Sequence, residues 1–143
     1  MYINQISIFI ENKPGNIAKL TTFLADNNVN MRAFEIADST DFGIVRIIVD
    51  QPFDTLTLLK DNDWICNLTQ VIGVRMPDEA GAMAKIMTVL AEAGVSVDYV
   101  YTLLTRGIDD AIMIFRVQDN TAVAGVLKKN DIKLVSQEDL QNM

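Results

Sequence analysis

The sequence predicts an α+β fold in which a βαββαβ unit, helices on one face of an antiparallel sheet, occurs twice in tandem. Two observations carry this. A segment starting at Pro14 recurs at Ala80. In both copies a period-2 apolar pattern gives way to a helical one, then to two more strand-like runs, a second helix and a last strand.

The repeat is direct. Pro14-Gly15-Asn16-Ile17-Ala18-Lys19-Leu20 aligns with Ala80-Gly81-Ala82-Met83-Ala84-Lys85-Ile86 at an offset of 66 residues, Gly15 to Gly81. From Pro14–Met31 against Ala80–Val97, seven of eighteen positions are identical and no gap is needed. The duplication places one domain over residues 1–70 and a second over residues 71–143.

Each element follows in order. Ile6, Ile8 and Ile10 alternate with Gln5, Ser7 and Phe9, and Ile72, Val74 and Met76 repeat the pattern, which marks a strand with one buried face. Ile17, Leu20 and Leu24, like Met83, Ile86 and Leu90, recur at helical spacing. Asn28 and Gly94 stop these helices, since both residues tolerate a left-handed backbone. Second strands are expected over Asn30–Ala37 and Ser96–Thr105, and third strands over Gly43–Asp50 and Ala111–Gln118. The turns between them are Asp38-Ser39-Thr40-Asp41 and Arg106-Gly107-Ile108-Asp109. Pro52 suits the first turn of a helix reaching about Lys60, and Asn120 is the expected cap of one reaching about Lys129. Fourth strands cover Trp64–Thr69 and Ile132–Val135, the first running almost directly into the next copy. The result is two ferredoxin-like sandwiches, each with a thin core and a bare face or edge that association would cover, so a homodimer is expected.

Composition narrows the function. The chain has 143 residues, half of them apolar and 22% charged, with no residue run approaching the ~20 apolar residues of a membrane span. No signal peptide is visible at the N-terminus and the single Cys66 forms no internal disulfide, so a cytoplasmic protein without a membrane role is expected. The formal net charge of −7 opposes a nucleic-acid partner, and Phe9, Phe42 and Phe115 are too scattered to stack bases. There is no histidine, which removes Ser-His-Asp and Cys-His catalysis and histidine-bound metals. Asp109-Asp110 has no third ligand in view, and no cofactor motif is present. No enzyme activity is expected.

The loop between the first strand and first helix carries the remaining chemistry. Asn12-Lys13-Pro14-Gly15 sets an amide, a proline-fixed turn and a glycine at a helix N-terminus. Free N–H groups and the positive end of the helix dipole favour a carboxylate there, while an Asn side chain donates to a carboxylate and accepts from an ammonium group. A free amino acid has both. Asn12 and Asp78 are equally ordinary turn and cap residues.

Glu11-Asn12-Lys13-Pro14-Gly15-Asn16-Ile17, with Asn28-Val29-Asn30-Met31 after the helix, resembles the ligand loop of ACT domains, the amino-acid-sensing modules of enzymes such as phosphoglycerate dehydrogenase. Asp78-Glu79-Ala80-Gly81-Ala82-Met83, with Gly94-Val95-Ser96-Val97, resembles the form found on acetolactate synthase regulatory subunits. The resemblance spans the chain and implies a stand-alone tandem ACT protein. In that family the ligand lies between this loop and the start of strand two of a neighbouring module. The resemblance therefore implicates Asn12, Pro14, Gly15 and Ile17 with Asn30 and Met31, and Asp78, Gly81 and Met83 with Ser96 and Val97. Serine-sensing members carry a histidine where this chain has Ile10, which speaks against serine. Asp78 suits an ammonium but repels a carboxylate, so the two loops are not equivalent.

The implied function is an amino-acid-binding regulatory protein that reports occupancy to a partner, an enzyme of amino-acid metabolism. The alternative is a regulatory subunit or scaffold with a vestigial pocket. Lys13 and Glu79 read as solvated charges, Met76, Met83 and Met87 as core filling, and Trp64 and Cys66 as packing residues. Arg46 and Arg116 are expected to face solvent or a dimer partner, and the tail from Gln137 to fray.

Overall fold

Alternating apolar residues make β1 (Ile3–Glu11), and Ile6, Ile8 and Ile10 put their side chains on one face of it. The computed structural model describes residues 2–38, 41–105 and 107–143; Ser39, Thr40 and Arg106 of the expected turns lie outside this set. After β1 come α1 (Asn16–Asp26), β2 (Met31–Asp38), β3 (Phe42–Val49), α2 (Pro52–Asp61) and β4 (Ile65–Met76). The second half adds α3 (Ala82–Glu92), β5 (Tyr99–Leu103), β6 (Ala111–Arg116), α4 (Asn120–Lys129), β7 (Lys133–Val135) and α5 (Gln137–Gln141). The fold is α+β with antiparallel strand pairing.

Contacts divide the chain into two compact units. One is Asn4–Thr69; the other is Gln70–Met143 together with Tyr2 and Ile3. In the N-terminal unit the strand order is β2-β3-β1-β4, with Ile6 opposite Ile47 and Ile8 opposite Val45. Its core joins those residues to Leu20 and Leu24 of α1 and Leu59 of α2, so both helices cover the same sheet face. In the C-terminal unit β6 lies between β4 and β5, and β7 pairs with β4. Ile72, Val74 and Phe115 meet Ile86 and Leu90 of α3 and Leu127 of α4. Each is a ferredoxin-like sandwich. One unbroken strand, β4, supplies the last strand of the first and the first strand of the second.

The glycine of each β–α loop is left-handed: φ is +88° at Gly15 and +89° at Gly81, immediately before α1 and α3. Asn28 and Gly94 are also left-handed just beyond the helix ends. Gly73 is needed for close approach, because a Cβ there would lie 2.4 Å from Ile3 Cδ1 and 2.9 Å from the Val135 carbonyl oxygen.

Several expectations are corrected. Asp119, not Asn120, caps α4: its carboxylate accepts from the Ala122 N–H at 3.0 Å, while Asn120 Nδ2 donates to the Gln70 carbonyl. β5 is shorter than Ser96–Thr105, since its pairing with β6 starts at Tyr99 opposite Arg116, and Ser96 and Val97 therefore lie in the preceding connection. The tail does not fray. Ser136 and Asp139 form a reciprocal capping box that starts α5, and Leu140 is fully buried. Arg46 neither faces solvent nor waits for a partner; it is largely buried and pairs with Glu35 on β2 at 3.1 Å. Arg116 donates to its neighbour's carbonyl, at Val117. Met76 and Met83 pack on the core, but Met87 sits on the outer face of α3 and is exposed.

Candidate functional site

The first β–α loop is built by short-range hydrogen bonds. The Lys13 N–H donates to the Glu11 carbonyl at 2.9 Å, the Asn16 N–H to the Lys13 carbonyl at 3.2 Å, and Asn16 Nδ2 to the Glu11 carbonyl at 2.8 Å. The second loop repeats the frame, with the Glu79 N–H donating to Pro77 and the Ala82 N–H to Glu79. Neither α1 nor α3 has a side-chain cap or an acidic residue in its first turn. Among the described residues no hydrogen bond engages the Ile17 or Ala18 N–H, which leaves the positive end of α1 open to an anion.

Asn12 is held from the other side. Its N–H donates to the Asp41 carbonyl at 3.3 Å and its Nδ2 to Asp38 Oδ1 at 3.2 Å. The Asn12 amide oxygen and the Asp38 carboxylate are thus two acceptors held together in the loop that leads into α1. Acceptors of this kind can receive an ammonium group, and free helix N–H groups a carboxylate. Lys13 Nζ lies 2.7 Å from Glu11 Oε2, and this hydrogen bond holds the Glu11 carboxyl below, and the Lys13 ammonium above, its ordinary value. Both are exposed, as solvated charges should be.

Pro14 and Gly15 complete the turn and are exposed, as are Asp78, Gly81 and Ser96. Ile17 and Met31 pack partly on the N-terminal core, and Met83 and Val97 on the C-terminal one. The start of β2 is not beside the loop of its own unit. Met31 pairs with Val49 at one end of the sheet, whereas Glu11 pairs with Phe42 at the other, where Asp38 also lies. Asn30 is tied at the far end to Asp50, Nδ2 to Oδ2 at 2.8 Å. Within one unit the structure joins Asn12, Pro14 and Gly15, and separates them from Asn30 and Met31.

Sequence reasoning passed over a groove at the head of the first helix in each unit. In the N-terminal unit it has a volume of about 380 Å³ and is walled by Phe9, Lys13, Lys19, Asp63, Trp64 and Ile65, among others. In the C-terminal unit it is about 190 Å³, with Arg75, Glu79, Lys85, Asp131, Ile132 and Lys133 at the equivalent positions. Lys19 and Lys85 are one of the seven identities of the repeat, and Asp63 and Asp131 are both left-handed residues just after the second helix. Those coincidences were the available signal. Cys66 is partly buried, and burial pushes its thiol above the ordinary value, so it is held protonated. Among the described residues no cluster of three His, Cys, Asp or Glu could hold a metal ion, and no helix is long and apolar enough to cross a membrane.

Comparison with known structures agrees with this architecture. The protein BT0572 from Bacteroides thetaiotaomicron is 36% identical, with 100% of this chain and 98% of that one covered and a TM-score of 0.90. The regulatory subunit of aspartate kinase from Thermus thermophilus, in a ligand-free form, shares the fold at 16% identity, covering 89% and 91%, with a TM-score of 0.61. The corresponding subunit from Thermus flavus shares it at 14% identity, covering 90% and 92%, with a TM-score of 0.58. No curated protein sequence matches. A family model described as an ACT domain pair matches residues 1–143, and the chain belongs to that family.

Proposed function

We propose that this chain is an amino-acid-binding regulatory protein without catalytic activity, each unit being one ACT domain, the first over residues 1–70 and the second over residues 71–143. The observation that carries it is the Asn12 loop, where the Asn12 amide is bonded to the Asp38 carboxylate in the segment that leads into the uncapped start of α1. That arrangement matches a zwitterion: ammonium on the acceptors, carboxylate on the Ile17 and Ala18 N–H groups. Asn30 and Met31, or Ser96 and Val97, would then come from a neighbouring module of another chain, which is one reason to expect a homodimer. The exposed Phe34 and Ile36 on edge strand β2 suit such association. Catalysis is disfavoured by the absence of histidine and by a cysteine held as its thiol. A cytoplasmic location is proposed because a single cysteine offers no internal disulfide.

Occupancy would act by favouring one arrangement of modules that a partner recognises. An enzyme of amino-acid metabolism is the proposed partner; fold neighbours named as regulatory subunits of aspartate kinase have one of this kind. The vestigial-pocket alternative keeps the partner and drops the ligand. Calorimetric titration of the purified chain with single amino acids separates the two. Saturable heat that is lost in Asn12→Ala supports the sensor. No heat with any amino acid, alongside co-purification with an enzyme, supports the scaffold.

A further inference from the structure

The outer side of α1 and the connection from α2 to β4 enclose a further groove in the N-terminal unit, about 770 Å³ in volume. Lys19, Phe23 and Asp26 line it from the helix and Asp63 and Trp64 from the connection, with Gly15 of the β–α loop bordering one end. Phe23 and Trp64 meet there with ring centroids 5.8 Å apart and planes tilted by 49°, each packed on the core and part exposed. Asp63 precedes Trp64 in the chain, and Asp26 follows Phe23 by three residues on α1. Both carboxylates are exposed, and among the described residues neither accepts a hydrogen bond or forms an ion pair. Lys19 is the one cation in the lining, against two carboxylates. The second copy of the repeat keeps this polar frame and drops the rings. Lys19, Thr22 and Asp63 align with Lys85, Thr88 and Asp131, and Asp26 aligns with Glu92, but Phe23 aligns with Val89 and Trp64 with Ile132. Val89 and Ile132 fill the same places against the C-terminal core, so packing alone does not call for aromatic residues here.

We propose that this groove receives an arginine side chain of a partner polypeptide. A guanidinium stacks flat on an aromatic face and, in its own plane, donates paired N–H bonds to a carboxylate, which the compact ammonium of lysine does not. Here Trp64 and Phe23 supply the faces and Asp63 and Asp26 the acceptors, so ring quadrupole and carboxylates attract the same cation. The shape favours a polypeptide over a free small cation. Lys19, Asp26 and Asp63 are all exposed, so the groove is shallow and leaves a small cation largely in water, whereas small-ligand sites cover ~70–90% of their ligand. A polypeptide adds contacts on either side of its arginine, and arginine and tryptophan are prominent among the residues that dominate protein interfaces. Docking of this kind deepens the regulatory function proposed above and rests on it for the existence of a partner. No amino-acid ligand enters its test, so the two can fail separately.

Trp64 is the only tryptophan of the chain, so its emission reads the groove directly. The full chain is titrated with acetyl-Gly-Arg-Gly-amide, with the same peptide carrying uncharged citrulline or lysine in place of arginine, and with methylguanidinium, while backbone-amide NMR locates the site. A saturable change in Trp64 emission is expected with the arginine peptide, with amide shifts at Phe23, Asp26, Asp63 and Trp64. The other three probes should bind roughly five-fold more weakly or worse. Asp63→Asn, whose new side chain tolerates the left-handed backbone there, and Asp26→Asn should each weaken the arginine peptide about three-fold or more. Phe23→Val combined with Trp64→Ile, the residues that the C-terminal unit carries at these places, should abolish the amide shifts. No saturable response to the arginine peptide, equal binding of the citrulline peptide, or binding unchanged in both aspartate variants overturns the inference. Methylguanidinium binding as tightly as the peptide would make the occupant a small cation, and Trp64 emission that changes on dilution of the chain alone would make it a second copy; either overturns it as well. If heat from an amino acid is still seen in that event, and still lost in Asn12→Ala, the regulatory function stands without this docking site.

Discussion

Asn12 has two structural partners, one through its side chain and one through its backbone, and among the described residues its amide oxygen takes part in no hydrogen bond. Its amide donates to Asp38 and its backbone N–H to Asp41, so removing it loosens the loop as well as the ligand site. Asn12→Ala should therefore cost a modest ~1 kcal/mol of stability, the worth of a typical hydrogen bond, and at least ten-fold in ligand affinity; urea unfolding and titration read the two separately. Gly73→Ala should be harsher, by ~1–3 kcal/mol as an overpacked core, because the new methyl would meet Ile3 and the Val135 carbonyl. Gly15→Ala meets nothing within 4 Å but needs φ of +88°, so its cost should be ~1–2 kcal/mol from backbone strain alone. Cys66 titrates in the direction burial dictates: desolvation raises its pKa, and Lys60 opposes that only in part. The thiol contribution to stability is thus present below the unfolded pKa and lost as pH rises through the folded one. Alkylation of native Cys66 at pH 8.5 should lag a small free thiol and recover on unfolding; equal rates would show the thiol is not desolvated.

At the level of elements, α5 is where local signals were present and undervalued. Ser136-Gln137-Glu138-Asp139 is a readable capping box, and Leu140 falls on the side that the box turns inward. A helix of five residues is too short for periodicity to reveal, so only the buried leucine shows that it is docked. Leu140→Ala should destabilise by ~2–5 kcal/mol, as core truncations do, and Ser136→Ala by ~0.5–2 kcal/mol, both measured by thermal unfolding. A change under 0.5 kcal/mol in Leu140→Ala would mean that the helix does not close the core. The longer elements were legible because they repeat: Ile6, Ile8 and Ile10 predict the face that Ile72 and Val74 predict again. What could not be read was the partner of each polar side chain. Arg46 looks solvent-facing in a third strand until β2 is known to set Glu35 across from it. The cap beside Asn120 is ambiguous because Asp119 and Asn120 are both good caps, and geometry chooses the first.

For the whole molecule, duplication explains both what was read and what was passed over. The two β–α loops stood out because Gly15 and Gly81 interrupt an otherwise regular pattern. The two grooves did not, because their walls come from residues some 45 positions apart in sequence, Lys19 with Asp63 and Lys85 with Asp131. The separation of Asn12 from Asn30 by the length of β2 likewise follows from topology and not from spacing. The units have also diverged, with Asn12 aligned with Asp78 in the sequence repeat and Phe9 with Arg75, so equal affinities are not expected.

The central claim is that a free amino acid binds this chain, and the thermal unfolding midpoint against each of the twenty amino acids tests it most directly. A ligand at 100 times its Kd adds roughly 2.7 kcal/mol, which for a chain of this size raises the midpoint by several degrees, on the order of 3–5 °C per kcal/mol. The account predicts a rise confined to one chemical class and reduced in Asn12→Ala. Twenty midpoints equal to that of the free protein would contradict it.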